Sequence, residues 1–267
     1  MAGLGAALAD LVLPSACAGC GAERVALRFG ACAECAAALE ALTPFPTTPV
    51  SPPHGMPACV AVGAYAGPLR SALLAYKEKG RHRLARPLGA LLAAAIAETA
   101  VRGGGGPGVP MMVLPVPSTA RAVRQRHGDH MARLAASAVR RLRIAGWRAD
   151  ITRPLRALPR PDSVSLDAAA RIAVAESSLR IRASRIRVLR RALTMKGTLI
   201  VVDDIVTTGS TLAAVTTRLE EANMQVTGAA VLAATRLRKA ASGGLRRLPP
   251  GGIGPADHHL LGSPNEG

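Results

Sequence analysis

Aromatic side chains are nearly absent from this 267-residue chain: they make up 2% of it, as Phe29, Phe45, Tyr65, Tyr76 and Trp147. Such scarcity argues against a surface that grips single-stranded bases by stacking them on rings. Acidic residues are few as well, 17 against 34 Lys plus Arg, which leaves a net charge of +17. Lysine is the rarer base (Lys77, Lys79, Lys196 and Lys239), so the excess is arginine, a bias that a GC-rich coding sequence produces unaided. The field favours phosphate-bearing ligands without choosing among nucleotides, pyrophosphate and nucleic acid. Long hydrophobic runs are missing. The longest run suited to a helix, Pro87 to Ala97, is closed by Arg86 and Glu98, short of the roughly 20 residues that span a bilayer. Met1 to Pro14 holds Asp10 and no Lys or Arg, so the basic start of a secretory signal is not there and a cytoplasmic location is expected. What is abundant is apolar, 49% of the residues. That is enough to bury a core, in a chain long enough for one large domain and a small one.

Cysteine is used sparingly and in a pattern. Cys17, Cys20, Cys32 and Cys35 form C-x2-C-x11-C-x2-C, and Cys59 stands apart as a small buried hydrophobe. In a reducing compartment, paired thiols of this spacing read as a closed S4 shell for structural Zn2+ rather than as disulfides. The surrounding Ala16 to Ala38 has too few large apolar side chains to hold a core, so the ion would stabilise it.

Proline and glycine divide the remainder. Six prolines between Thr43 and Pro57 predict an extended linker. Beyond it the pattern predicts strands at Val60–Tyr65, Met111–Val116, Thr198–Val202 and Thr227–Ala234, with helices near Leu69–Tyr76, Leu84–Ala100, Arg133–Leu142 and Thr211–Ala222. Strands alternating with helices imply an α/β fold with a mostly parallel sheet. Arg153 to Arg191 reads as a long functional loop with short strands, and the tail from Ser242 as disordered. The expected division is therefore 1–42 for the cysteine module, 43–57 for the linker, 58–241 for the α/β domain and 242–267 for the tail.

One stretch carries most of the chemistry. A buried strand, Leu199 to Val202, runs into Asp203 and Asp204 and then into Thr207, Thr208, Gly209, Ser210 and Thr211, which open a helix. Small hydroxyl residues and a glycine at a helix N-terminus aim N–H groups and hydroxyls at a phosphate. Two carboxylates beside a phosphate make sense if they accept hydrogen bonds from ribose hydroxyls or hold Mg2+. Together they describe a site for a sugar phosphate. His127 and His130 read as ordinary exposed histidines, and Trp147 as a core anchor.

Val201 to Leu212 resembles the phosphoribosyl-pyrophosphate (PRPP) signature of type I phosphoribosyltransferases. With the upstream four-cysteine module, the chain is similar to the ComF family of competence-associated, phosphoribosyltransferase-like proteins. Tyr65-Ala-Gly67-Pro-Leu-Arg70, Lys77-Glu-Lys79-Gly80, Pro115-Val116-Pro117 and Arg126-His-Gly128-Asp129-His130 match further family patterns, the last in part. The resemblance implies a type I phosphoribosyltransferase-like sheet with a zinc-ribbon-like module. It implies PRPP bound with Mg2+ by Pro117, Ser118, Asp203, Asp204 and the loop from Thr207 to Thr211, with Asp203 and Asp204 as catalytic residues. Lys77, Lys79, Arg126 and Arg171 are the candidate pyrophosphate contacts, and Asp162 to Ile172 lies where the family has a flexible loop. Three activities follow: phosphoribosyl transfer to an unidentified acceptor, PRPP or nucleotide binding without turnover, or a DNA-uptake accessory contacting single-stranded DNA or a helicase-like partner.

Overall fold

A computed structural model describes residues 16–159, 177–193 and 197–235. Its centre is a six-stranded sheet. Chain order gives β1 (Phe45–Thr47), β2 (Cys59–Ala64), β3 (Met111–Pro115), β4 (Ala149–Ile151), β7 (Thr198–Val206) and β8 (Gly228–Ala234), and spatial order is β1-β2-β8-β7-β3-β4. All neighbours pair in parallel except β1, which runs antiparallel to β2 at the edge. A separate antiparallel ribbon joins β5 (Leu155–Ala157) to β6 (Leu179–Ile181). The expected α/β class with a mostly parallel sheet is therefore present.

The two-residue period of the strands divides the core into two layers. Val60, Val62, Val113, Ile200, Val202, Ala230 and Leu232 point to one face. There α2 (Gly67–Glu78), α3 (Ala85–Arg102) and α5 (His130–Ile144) cover them. Cys59, Ala61, Leu114, Leu199, Val201, Ala229 and Val231 point to the other, under α6 (Ala183–Leu193) and α7 (Ser210–Glu220). Strands buried on both faces explain why β7 and β8 read as unbroken apolar runs. Cys59 is buried, as its isolation suggests, and Trp147 packs partly buried against the first layer.

Several elements differ from the sequence expectation. β7 runs to Val206, four residues past the expected end, because the ladder to β8 continues through Asp203, Ile205 and Val206. Within the proline-rich segment, Phe45–Thr47 pairs with β2, at an edge where Pro46's missing donor is tolerated. The arginine-laden stretch contains α6, which buries Ile186 and Leu189 and leans Leu193 on the second layer, a narrow stripe masked by the arginines around it. The tail from Ser242 lies outside the described residues. Helix His82–Arg102, a short 3-10 turn continuing into α3, is long and apolar enough to cross a membrane by composition. It is mostly buried between the sheet and α5, as a core helix is.

The cysteine module closes against this body. Its helix α1 (Ala33–Glu40) inserts Leu39 into the first core layer, Ala18 joins it there, and Arg81 donates to the carbonyl of Ala16.

Candidate functional site

Strands β3 and β7 are neighbours, yet the chain leaves them toward opposite faces. After β3 it passes through α4 (Ala120–Gln125) to α5 on the first layer, and after β7 it enters α7 on the second. A crevice must open at the carboxyl ends of two such strands, and open α/β sheets bind ligands there. The β3–β7 ladder ends at Pro115 opposite Val202. Asp203, Asp204 and the loop that follows therefore project past it, at the same end of the sheet as the Pro117–Ser118 segment that follows β3.

The loop after β7 is shaped for an anion. Gly209 adopts φ +82° and precedes the first turn of α7, a conformation that glycine takes without strain. No side chain caps α7 from Gly209, whereas Thr119 caps α4 and Asp129 caps α5 by accepting from Ala122 N and Ala132 N. At the start of α7 the Thr208 and Ser210 hydroxyls lie 2.9 Å apart, and Thr208 Oγ1 accepts a long hydrogen bond, 3.4 Å, from the Ser210 N–H. Thr207 is exposed and Thr211 half-buried. The thioether of Met56 leans on Gly209, and a Cβ there would lie 2.3 Å from its sulfur.

The adjacent acids, expected to act together on a sugar, occupy different environments. Strand alternation sends Asp204 to the layer of Ile200 and Val202, and Asp203 to the layer of Leu199 and Val201. Asp204 is buried. Its Oδ2 lies 2.7 Å from Lys77 Nζ and 3.4 Å from His130 Nε2. Burial alone would raise its pKa, but the His130 hydrogen bond and the Lys77 charge outweigh burial and hold it below the usual carboxylate range. Asp203 is half-buried and accepts from the Asp204 N–H at 2.8 Å. Burial first, and the Asp204 charge second, push its pKa up to about 8.

One reading from sequence changes here. His130 is 7% exposed, not an ordinary surface histidine, and its Nδ1 has no partner among the described residues. Asp129 caps α5 and so fixes His130 in the first helical turn; Tyr76 donates its hydroxyl to the His130 carbonyl at 2.8 Å. Lys77, a candidate for the pyrophosphate, arrives as the counter-ion of Asp204. His127 is exposed, with φ +52°.

The other candidates are spread around the crevice. Ser118 Oγ lies 3.5 Å from Asp129 Oδ1, and Arg153 pairs with that same carboxylate. Arg126 pairs with Glu78 at 3.3 Å, and Lys79 is exposed at the end of α2. Arg171 and the Asp162–Ile172 region lie outside the described residues. His82, which sequence reasoning passed over, meets Arg133 through Nδ1 at 2.9 Å; burial, then the Arg133 charge, lower its pKa.

Residues 164–245 match the family model of the phosphoribosyl transferase domain. The matched stretch holds β7, the twin acids, the anion loop, α7 and β8, so the phosphoribosyl transferase likeness falls on the crevice's own elements. Among curated proteins, none matches the chain. At the level of that family, the likeness supports binding of PRPP or a nucleotide.

The four cysteines form a second centre. Their Sγ atoms all lie within 4.8 Å of one another, with Cys20 and Cys32 at 3.8 Å. A tetrahedral zinc with Zn–S of about 2.3 Å sets sulfurs roughly 3.8 Å apart. Gly19 N and Cys32 N donate to Cys17 Sγ at 3.3 and 3.2 Å. Burial pushes the Cys17 thiol up, but N–H groups of Cys20, Cys32 and Gly19 bring it down to about 6. Cys35 is pushed well up by burial and by the other three thiols. The donor set therefore fits a structural Zn2+, whose charge would hold four thiolates that otherwise repel. Four ligands leave no open position for catalysis.

Proposed function

We propose that the crevice between β3 and β7 binds PRPP, and that the protein displaces its pyrophosphate with a nitrogen nucleophile. The observation that supports this best is the glycine-led, hydroxyl-lined start of α7 close after Asp203, at the point where the chain leaves the sheet toward opposite faces. In this reading Gly209 to Thr211 take the 5-phosphate through backbone N–H groups and hydroxyls. The Pro117–Ser118 turn approaches the pyrophosphate. Asp203, with Oδ1 engaged by a backbone N–H, turns its remaining lone pairs to a ribose hydroxyl or to Mg2+; when bound, Mg2+ supplies charge to the leaving pyrophosphate. Asp204, paired with Lys77 and hydrogen-bonded to His130, holds the end of β7 in place. Lys79 and Arg126 stand at the rim as leaving-group contacts, where the protein's work is positioning and charge stabilisation. The four-cysteine module with this crevice is the combination in which the chain resembles ComF proteins.

The test is pyrophosphate release from PRPP with Mg2+ across a panel of nucleobases, alongside the melting temperature. Turnover with any base supports transfer. A melting shift without turnover leaves a PRPP-binding protein, and no shift in wild type overturns the site.

A second reading has its own observation. α6 carries Arg185, Arg187 and Arg190 among exposed residues, a cationic face suited to single-stranded DNA in a DNA-uptake role. Its mark is an affinity for DNA that falls steeply with salt.

A further inference from the structure

The longest of the described helices, α3, is open on one side. α3 turns Leu88, Leu92 and Ile96 to the sheet, while Ala90 and Ala94 are exposed and Leu91 and Ala97 only half-buried. These four residues recur at helical spacing, and a helix that is apolar all round is normally covered all round. Over that stripe lies a groove of about 710 Å³, walled by α1 on one side and by α5 with Trp147 on the other. At its margin Ile144 is 70% exposed.

Basic charge predominates around the groove, four arginines to one acid. Arg28, Arg86, Arg140 and Arg141 line it, and none pairs with an acid among the described residues. Arg28 and Arg86 instead stand over the Phe29 ring, at 5.7 and 4.7 Å from its centre. Glu40 is the groove's one acid. Small residues along the floor let a backbone approach closely, and the guanidinium rim selects carboxylates. A second copy would bring the same arginines against these, so like charge opposes it.

From this apolar floor and a rim of arginines that have no acid partner among the described residues, we propose that the groove between α1, α3 and α5 docks an acidic amphipathic helix of a partner protein. The site is on the flank of the molecule and is independent of PRPP binding. Leucines on the partner lie along Ala90, Leu91, Ala94 and Ala97, and its carboxylates reach the rim.

Trp147, the only tryptophan, lines the groove and reports on it. The probe is a synthetic peptide of about eighteen residues, matching the 18 of α3, with leucines at helical spacing and glutamates elsewhere. Titrated into the full chain, it is expected to shift Trp147 emission to the blue and to saturate. The same composition in scrambled order should bind at least about tenfold more weakly, as should the ordered peptide against Arg140→Glu with Arg141→Glu. Both positions are exposed, so the fold persists, checked by circular dichroism. Ile144→Asp serves as a second variant that weakens binding without changing the arginines. Equal binding of ordered and scrambled peptides would show mere attraction to a +17 chain and overturn the proposal. So would no response at all. A blue-shifted Trp147 in the free chain that Leu8→Glu with Leu11→Glu reverses would assign the groove to the protein's own N-terminal stretch. A concentration-dependent dimer that Ile144→Glu dissolves would assign it to a second copy. Either result also overturns the proposal.

Discussion

The cysteine module and the crevice face the same electrostatic problem and solve it differently. Both crowd groups that repel when ionised: four sulfurs within 4.8 Å, and two adjacent carboxylates. The carboxylates have their counter-charge built in, since Lys77 pairs with Asp204, which also meets His130, while Asp203 holds its proton more firmly than usual. The thiols have only backbone N–H groups, which settle one of the four. The difference indicates that the module depends on an ion from outside, whereas the crevice is assembled before its ligand arrives.

The sharpest way to break that contrast is to remove a ligand from the module. Cys32→Ser should forfeit most of the roughly 10–16 kcal/mol of apparent binding free energy typical of structural zinc in small modules. Metal analysis should fall from one equivalent of zinc to none, with proteolysis entering between Cys17 and Cys35. Retained stability in a metal-free protein would erase the distinction. Next is Lys77→Met, which strands a buried carboxylate and should lower the unfolding free energy by about 3 kcal/mol. Adding Asp204→Asn should restore most of it, a rescue that only a charge pair gives.

The two acids also predict opposite pH dependences. Asp203 keeps its proton in the folded state between 3.8 and about 8, where the unfolded chain has lost it. Its contribution to stability therefore falls as pH rises through that window, with a slope approaching about 1.4 kcal/mol per pH unit. Asp204 is lowered instead, so its contribution is present above the ordinary carboxylate range and is lost only in strong acid. Asp203→Asn should flatten the first slope in a melting series and abolish the shift caused by PRPP with Mg2+. A slope left unchanged would separate Asp203 from that behaviour. Smaller again, Gly209→Ala should cost about 1–3 kcal/mol, from a strained backbone and collision with Met56. Met56→Ala in that background should recover part of it. Arg126→Ala, at a half-exposed pair with Glu78, should change stability by less than about 0.5 kcal/mol.

Legibility followed burial. β7, α7 and β8 were readable because strands buried on both faces leave continuous apolar runs, closed here by two acids and a hydroxyl-rich loop. The cysteine spacing announced its cluster for a different reason: ligand geometry constrains sequence more tightly than packing does. The opposite sides taken by Asp203 and Asp204 were not seen, since the strand was expected to stop before them and its alternation was not carried through. His130 was misjudged among arginines. The available signal was Asp129, a helix-capping residue that places its neighbour in the first turn facing β7. α6 was hidden because its inward stripe, Ile186 and Leu189 with Leu193 half-buried, is narrow among exposed arginines. β4, three residues long, takes its conformation from pairing with β3 rather than from local preference.

The sheet ends on both sides in three-residue strands, and the outer one at β1 contains Pro46, which has no N–H to offer. Borders so brief give a neighbouring chain little to hydrogen-bond with, and the proline blocks one of the few positions available. The protein is thereby guarded against polymerising strand upon strand, and association through its helical flanks can proceed without that hazard.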